Sequence, residues 1–247
     1  MRGRPIRFGG MLAMLLLAAG CATHRVNPAS LSPDALFARA DTLYQAKEYG
    51  KAIPLLEAFV QQHVTDPRAP QAEFMLGTSY MARKEYLTAA TNFQRLVEDF
   101  PGSPHDLDAR FAICQAYVHL SPKPALDQEY TRAALTHCQS VADNFGGTTQ
   151  ATQAKKYVDQ LQDKLAEKLF DTGRFYAKRK AYDSAVVYFR MVVSQYPQTS
   201  SAPAALQELA ECYKIMGYVE DAEQARQQLL KDYPQSSQAQ ALRAPAS

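Results

Sequence analysis

Cysteine and histidine are two residue types of this chain that could bind a metal or act as nucleophiles. The sequence has four cysteines and five histidines, the latter being His24, His63, His105, His119 and His137. None has a partner at the spacing of an HExxH helix or a CxxC pair, so we predict no metal site. Phosphate-binding GxxxxGK[ST] and GxGxxG stretches are absent. We therefore predict no catalytic residue, no cofactor and no enzymatic activity.

The first twenty residues form a targeting segment. Arg2, Arg4 and Arg7 make a basic start, and an apolar run of nine residues follows from Met11 to Ala19. A membrane-spanning helix needs about 20 apolar residues, so this run is too short and is typical of a secretory signal peptide. The formal net charge of +2 depends on these three arginines. The remaining chain is close to neutral, which argues against non-specific binding of nucleic acid.

The segment ends in LAAGC at 17–21, which resembles a bacterial lipobox. That resemblance implies that Cys21 carries the lipid, including palmitate, and becomes the mature N-terminus. Several acyl chains together anchor a protein stably. Ala22 follows, rather than the Asp typical of inner-membrane retention, which implies the periplasmic face of the outer membrane. The alternative is an ordinary signal peptide with an incidental cysteine.

The other cysteines, Cys114, Cys138 and Cys212, lie at apolar helix positions. Cysteine at such positions behaves as a small apolar residue. Cys114 and Cys138 fall in one predicted helical hairpin, and an oxidising compartment would permit a disulfide between them. The sequence leaves both alternatives open.

The elements that carry these residues are helical hairpins of about 34 residues. In residues 70–101, apolar and small residues recur three and four apart on two runs separated by a polar break. Small residues, Gly77 and Ala89, stand where the two helices should approach closely. One such unit cannot bury its own apolar face, so copies are expected.

Five copies are present. Ala89 is matched in the other units by Ala52, Ala134, Ala185 and Ala222. A proline closes four units, and Phe145-Gly146-Gly147 takes that place in the third. The predicted fold is therefore an all-α, TPR-like α-solenoid of five helix-turn-helix repeats in a right-handed superhelical arc. The predicted segments are a signal peptide (1–20), a flexible lipid-anchored tether (21–32), a repeat array (33–234) with units 33–67, 70–101, 104–146, 150–197 and 203–234, and a polar tail (235–247).

Two units depart from the pattern. In the third, the prolines of residues 121–130 predict a long loop between the two helices. In the fourth, residues 150–179 predict one long helical passage that joins the halves of the array. At the start of the array, Ser32 is predicted to cap the first helix, with Pro33 in its first turn. We expect the polar C-terminal tail to fray.

The first helices of stacked hairpins line a concave surface, and four of the five carry a phenylalanine three residues before the small residue. Either these rings line a peptide groove or they only pack against neighbouring helices. The predicted N-terminal groove consists of Phe37, Asp41, Tyr44, Phe74, Thr78, Met81, Phe111, Gln115 and His119. The predicted C-terminal docking face consists of Phe170, Arg174, Lys178, Glu211 and Lys214.

The chain resembles the BamD (ComL-like) family of outer-membrane assembly lipoproteins. The strings that carry the resemblance are FMLGTSY at 74–80, LSPKPALDQEYTRAAL at 120–135 and QLQDKLAEKLFDTGRFYAKRKAYDSAVVYF at 160–189. The resemblance covers the mature chain and implies a non-enzymatic subunit of the β-barrel assembly (BAM) complex. Its implied partners are a BamA-like barrel subunit, bound through its periplasmic domains at the C-terminal units, unfolded outer-membrane proteins at the N-terminal units, and other assembly lipoproteins. The alternative is a periplasmic TPR lipoprotein that coordinates cell-wall synthesis or envelope integrity.

Overall fold

A computed structural model describes residues 28–243 of the chain. Within that range every regular element is a helix, as the sequence predicts. Cys21, His24 and the signal peptide lie outside the described residues. After a 3₁₀ turn at Pro28–Ser30, the helices are α1 (Pro33–Gln45), α2 (Tyr49–Gln62), α3 (Ala69–Ala82), α4 (Tyr86–Asp99), α5 (Asp106–Leu120), α6 (Glu129–Asn144), α7 (Thr149–Lys178), α8 (Tyr182–Gln195), α9 (Ser201–Met216), α10 (Val219–Asp232) and α11 (Ser237–Arg243).

The helices stack in chain order. Each of α1 to α10 packs against the helix before it and the helix after it, where the described chain has them. Contacts that skip one helix join first helices of neighbouring units, as between α1 and α3 and between α7 and α9. This pattern of nearest-neighbour hairpins is that of an α-solenoid. The handedness of the superhelix stays a prediction.

The small residues that mark the repeats are buried. Ala52, Ala89, Ala134 and Ala185 are fully buried, and Ala222 is 5% exposed. Apolar side chains from consecutive helices surround them and form successive cores along the array. The first core contains Ala52, the second Ala89, the third Ala134 and the last Ala185. The marker alanines therefore identify the interface between the two helices of each unit.

The short hairpin turns share one backbone conformation. The first helices of units one, two, four and five are followed within two residues by Lys47, Lys84, Lys180 and Gly217, and all four have a positive φ, between 58° and 82°. Glycine adopts this left-handed region without steric cost, whereas a residue with a Cβ does not. Three of these four turns therefore hold a lysine in a conformation that favours glycine.

The third and fourth units have the irregular features that the sequence predicts. The third has an eight-residue loop between α5 and α6, and α7 is one continuous helix of 30 residues. The Ser32 hydroxyl accepts from the Ala35 amide at 3.3 Å, so the predicted N-cap is confirmed.

At each end the structure differs from the prediction within the described residues, whereas residues 21–27 of the predicted tether lie outside them. The predicted flexible tether includes the 3₁₀ turn, and Leu31 packs against the first core. The predicted fraying tail contains α11, whose Ala239 is fully buried on the last core. In both places one apolar residue packs against the core at an end of the array. The average polarity of each segment does not reveal this contact.

Candidate functional site

All four histidines in the described residues lie against aromatic rings. His105 stacks on Phe74 at 4.8 Å between ring centroids, His119 on Tyr86 at 4.5 Å and His137 on Tyr117 at 5.0 Å. His63 is tilted against Phe59 at 5.2 Å. Burial lowers the pKa of His137, which favours its neutral form. These contacts give the histidines a packing role, and no metal-binding cluster of His, Cys, Asp or Glu occurs in residues 28–243.

Cys114 and Cys138 form a disulfide between α5 and α6, with a Cα–Cα distance of 4.8 Å. The sequence left this pairing open. Cys212 is a buried free thiol, and burial raises its pKa to about 11. A thiol with so high a pKa is rarely a thiolate and is therefore a poor nucleophile.

The disulfide occupies a position that other units fill differently. In the second unit the corresponding residues are Gly77 and Phe93, and in the fourth they are Gly173 and Phe189. A Cβ built on Gly77 would lie 2.6 Å from Phe93 Cε1, and one on Gly173 would lie 2.6 Å from Phe189 Cε1. In the second and fourth units the paired helices thus meet through a ring against a glycine, and in the third they are joined by a covalent bond.

Three phenylalanines of the predicted surfaces pack within their own units. The ring centroids of Phe37 and Phe59 are 5.2 Å apart, those of Phe74 and Phe93 5.7 Å, and those of Phe170 and Phe189 5.7 Å. All three first-helix rings are only half-buried. They therefore support the helix pair on one side and leave part of the ring accessible on the other.

The N-terminal groove residues connect neighbouring first helices. Burial raises the pKa of Tyr44 on α1, and the nearby side chain of Thr78 on α3 opposes this shift. The Thr78 hydroxyl donates to the carbonyl of Phe74 at 2.8 Å. Asp41 accepts from the Gln45 amide at 3.1 Å. Tyr44, Phe74 and Thr78 therefore lie on adjoining helices.

Of the other members of the N-terminal groove, some are partly buried against the cores and some are exposed. Met81 packs against the second core, and Gln115 is half-buried on α5. Phe111 faces Tyr157 of α7 at 6.3 Å between centroids. His119 is exposed, with its ring on Tyr86. The third unit thus continues the line of aromatic side chains toward α7.

The C-terminal docking face is more charged and more exposed. Arg174 lies 5.8 Å from the Phe170 ring centroid, and Lys178 is exposed nearby on α7. Glu211 pairs with Arg226 at 3.4 Å and with Lys214 at 4.0 Å. Exposed pairs of this kind contribute little to stability, so their charges are available to a partner.

Sequence reasoning missed several exposed apolar residues near the same hairpins. Phe175 is 48% exposed, and the Arg179 guanidinium lies 3.6 Å from its ring centroid. Ile215, Tyr218 and Val219, at the turn between α9 and α10, are each more than half exposed. The position of Phe175, two residues after the buried Gly173 and off the core-facing stripe of α7, could have revealed it, because large apolar residues outside that stripe often mark interaction surfaces.

The long loop of the third unit is built around Gln128, which is 3% exposed. Its side-chain amide donates to the carbonyls of Lys123 and Leu126 at 2.9 Å each and of Pro124 at 3.3 Å. From α7, Lys164 donates to the Ser121 hydroxyl at 2.8 Å and Lys168 to the Ala125 carbonyl at 2.9 Å. The loop is therefore fixed to the long helix and presents Leu126, which is 58% exposed.

None of the helices in residues 28–243 combines the length and apolar character that a membrane span requires. A family model described as YfiO, outer membrane lipoprotein, matches residues 29–229. The outer membrane protein assembly factor BamD of Caulobacter vibrioides is 24% identical, covering 90% of this chain and 74% of that protein. The BamD of Rickettsia prowazekii is 26% identical, covering 92% and 90%. That of Vibrio cholerae is 22% identical, covering 88% and 94%.

Solved structures with partial similarity include two that are described as TPR proteins or domains. One from Thermus thermophilus covers 85% of this chain and 96% of its own, at 20% identity and a TM-score of 0.35. The TPR2AB domain of yeast Sti1 covers 84% and 80%, at 14% identity and a TM-score of 0.41. Because the family model matches most of the residues from the first helix through α10, this chain belongs to the YfiO outer membrane lipoprotein family.

Proposed function

We propose that this protein is a non-enzymatic assembly factor for outer-membrane β-barrel proteins. The observation that carries the proposal is the family match across residues 29–229, together with relatives named outer membrane protein assembly factor BamD that align along about 90% of the chain. In this role the protein holds other polypeptides in position and performs no covalent chemistry.

The proposed mechanism uses the two ends of the array. The half-buried aromatic rings and hydroxyls of the N-terminal groove bind extended segments of unfolded outer-membrane proteins. The C-terminal docking face, with neighbouring exposed apolar residues such as Phe175 and Ile215, binds the periplasmic domains of a BamA-like barrel subunit. A helix stack with covalent and ring-on-glycine contacts between paired helices keeps the two surfaces at a fixed separation.

Membrane attachment belongs to the same proposal. A lipid on Cys21 holds the protein at the periplasmic face of the outer membrane. Other assembly lipoproteins of the complex are further proposed partners.

The test is affinity isolation of the full-length tagged protein from detergent-solubilised outer membranes. We expect recovery of a polypeptide-transport barrel protein, and its loss from the double variant Ile215→Asp with Val219→Asp. Leu87→Asp is the matched control, because Leu87 is a similarly exposed apolar residue in the second unit. Recovery of cell-wall enzymes without any barrel protein would contradict the proposal and favour an envelope-integrity scaffold.

A further inference from the structure

A small cavity of about 170 Å³ lies between α2, α3 and α4, and it shares no residue with the N-terminal groove. Its apolar walls include Val60, Val64 and Phe100, and its charged lining consists of Glu73, Arg95 and Asp99. Two carboxylates face one guanidinium, so the cavity has one negative charge in excess when both acids are ionised. A cavity with apolar walls and an acidic base is suited to a cationic group on an aliphatic chain.

Glu73 stands at a position where three of the other four units have a leucine. Counted from the marker small residue, the same position holds Leu36, Leu169 and Leu206 in the first, fourth and fifth units and Arg110 in the third. Leu36 and Leu206 are fully buried, and Glu73 is only 2% exposed. A buried acid in a leucine position conflicts with the repeat pattern, and such conflicts concentrate at functional sites.

The Glu73 carboxylate is only partly satisfied. Its Oε1 lies 3.3 Å from Arg95 Nη2, whereas its Oε2 is buried and has no hydrogen-bond partner. An unpaired buried carboxylate oxygen is costly, and a native protein that retains one has an unfilled acceptor. The unfilled acceptor and the adjacent cavity are two independent observations that point to a missing hydrogen-bond donor.

We propose that this cavity binds a lysine or arginine side chain of a partner polypeptide. The aliphatic part of that side chain lies against Val60, Val64 and Phe100, as long basic side chains do on apolar surfaces. Its ammonium or guanidinium donates to Glu73 Oε2, and Asp99 supplies the second negative charge. The Arg95 side chain is 46% exposed, so its guanidinium can turn toward solvent as the partner's cation enters.

The charges around Glu73 give the site a pH dependence. Burial raises the pKa of Glu73, the positive charge of Arg95 opposes this shift and the negative charge of Asp99 adds to it, and the net pKa is about 7. Helix α2 and the segment after it contribute only Val60 and Val64 to the lining, and α3 adds Ala69 beside Glu73. A cation binds the ionised carboxylate and must displace a proton at low pH, so the affinity is expected to be higher at pH 8 than at pH 6.

The experiment uses the full chain purified in detergent and three capped tripeptides with lysine, arginine or norleucine between two alanines. Titration followed by NMR or calorimetry at pH 8 should give the two basic peptides an affinity about tenfold or more above the norleucine peptide, because only they provide a charge-assisted hydrogen bond. Glu73→Gln should remove this difference. Glu98→Gln, which changes an exposed acid of α4, is the matched control and should preserve it.

A second variant tests the proposal independently if Glu73→Gln alters the fold. Arg95→Gln removes the competing internal cation and also raises the pKa of Glu73, so it should strengthen binding of the basic peptides severalfold at pH values where Glu73 is ionised. Equal affinity for basic and norleucine peptides, no binding, or a preference that survives Glu73→Gln would overturn the proposal and leave Glu73 and Arg95 as an internal ion pair. None of these outcomes affects the proposed assembly function, which depends on other residues.

Discussion

Gly77 and Phe93 are in direct contact across the two helices of the second unit. The ring of Phe93 occupies the space that a Gly77 side chain would need, since an added Cβ would lie 2.6 Å from its Cε1 atom. Gly173 and Phe189 repeat the contact in the fourth unit, and the Cys114–Cys138 disulfide replaces it in the third. The second, third and fourth units therefore all bring their paired helices close together at this position, through a ring against a glycine in two of them and through a disulfide in the other.

Replacing Gly77 with alanine should destabilise the protein although alanine is the better helix former. The methyl group overlaps a ring that is 1% exposed and closely surrounded, so the net loss in the free energy of unfolding should be about 1 to 2 kcal/mol. Urea denaturation measures the change. Gly146→Ala is the control, because its Cβ meets nothing within 4 Å, and an equal effect of both substitutions would refute the argument.

Loss of the disulfide should lower stability by about 3 kcal/mol, which is the loop-entropy value for cysteines 24 residues apart. The double variant Cys114→Ala with Cys138→Ala and the reduced wild-type protein should show similar losses in denaturant titrations. A reductant should have no further effect on the variant. Intact mass after alkylation, with and without reduction, checks the bond itself, and two alkylated thiols at these positions before reduction would contradict it.

The stability of the protein should fall between about pH 5 and pH 7 because of Glu73. Burial raises the pKa of Glu73 to about 7 in the folded protein, above its ordinary value of 4.5. The folded chain therefore holds this proton more tightly than the unfolded chain, and the resulting stabilisation is complete below the ordinary value and is lost as the pH rises to about 7. The loss is at most about 3 kcal/mol.

Glu73→Gln should remove this part of the pH dependence, since the amide does not titrate. The difference between the pH profiles of wild type and variant isolates Glu73 from the other acids. Thermal unfolding at several pH values measures it. If the two profiles run parallel from pH 5 to pH 8, the carboxylate is ionised throughout and the raised pKa is wrong.

Lys84→Gly should stabilise the second hairpin. Lys84 has a φ of 63° in its turn, where a Cβ costs about 1 kcal/mol or more and glycine costs little. The extra entropy of glycine in the unfolded chain offsets part of this gain, so we expect a net increase of about 0.5 to 1 kcal/mol. Lys155→Gly in the interior of α7 should have the opposite sign, with a loss of about 1 kcal/mol. If Lys84→Gly instead lowers the free energy of unfolding, the contacts of the Lys84 side chain contribute more stability than its positive φ costs.

The N-terminal groove is tested by Phe74→Ala combined with Phe111→Ala. These substitutions should weaken binding of an extended outer-membrane-protein peptide, because each removes a half-exposed ring from the first helices. Phe74 also packs against Phe93 and His105, so binding must be measured by fluorescence titration at a temperature where circular dichroism shows the variant folded. Phe189→Ala serves as the comparison, since that ring is fully buried and should affect stability more than binding. Unchanged peptide affinity in the folded double variant would remove the groove hypothesis and leave the rings as packing residues.

The sequence by itself determined the helical class, the five units and the positions of most boundaries. Alanines and glycines at fixed register identify the helix interfaces because only small residues permit close approach, and Ser32 and the prolines define helix starts and loops by local backbone chemistry. These are short-range effects, so a pattern within about 34 residues contains them. The resemblance of the long loop and the long helix to the BamD family likewise depends on short stretches of sequence.

Tertiary structure alone decided the features that need two distant segments at once. The pairing of Cys114 with Cys138, the stacking of His105 on Phe74 and the burial of Glu73 beside Arg95 each join residues of different helices. Periodicity shows which face of a helix is buried but not which side chain lies opposite, because that depends on helix rotation and spacing. For the same reason the sequence predicts a fraying tail, whereas Ala239 is buried in the last core.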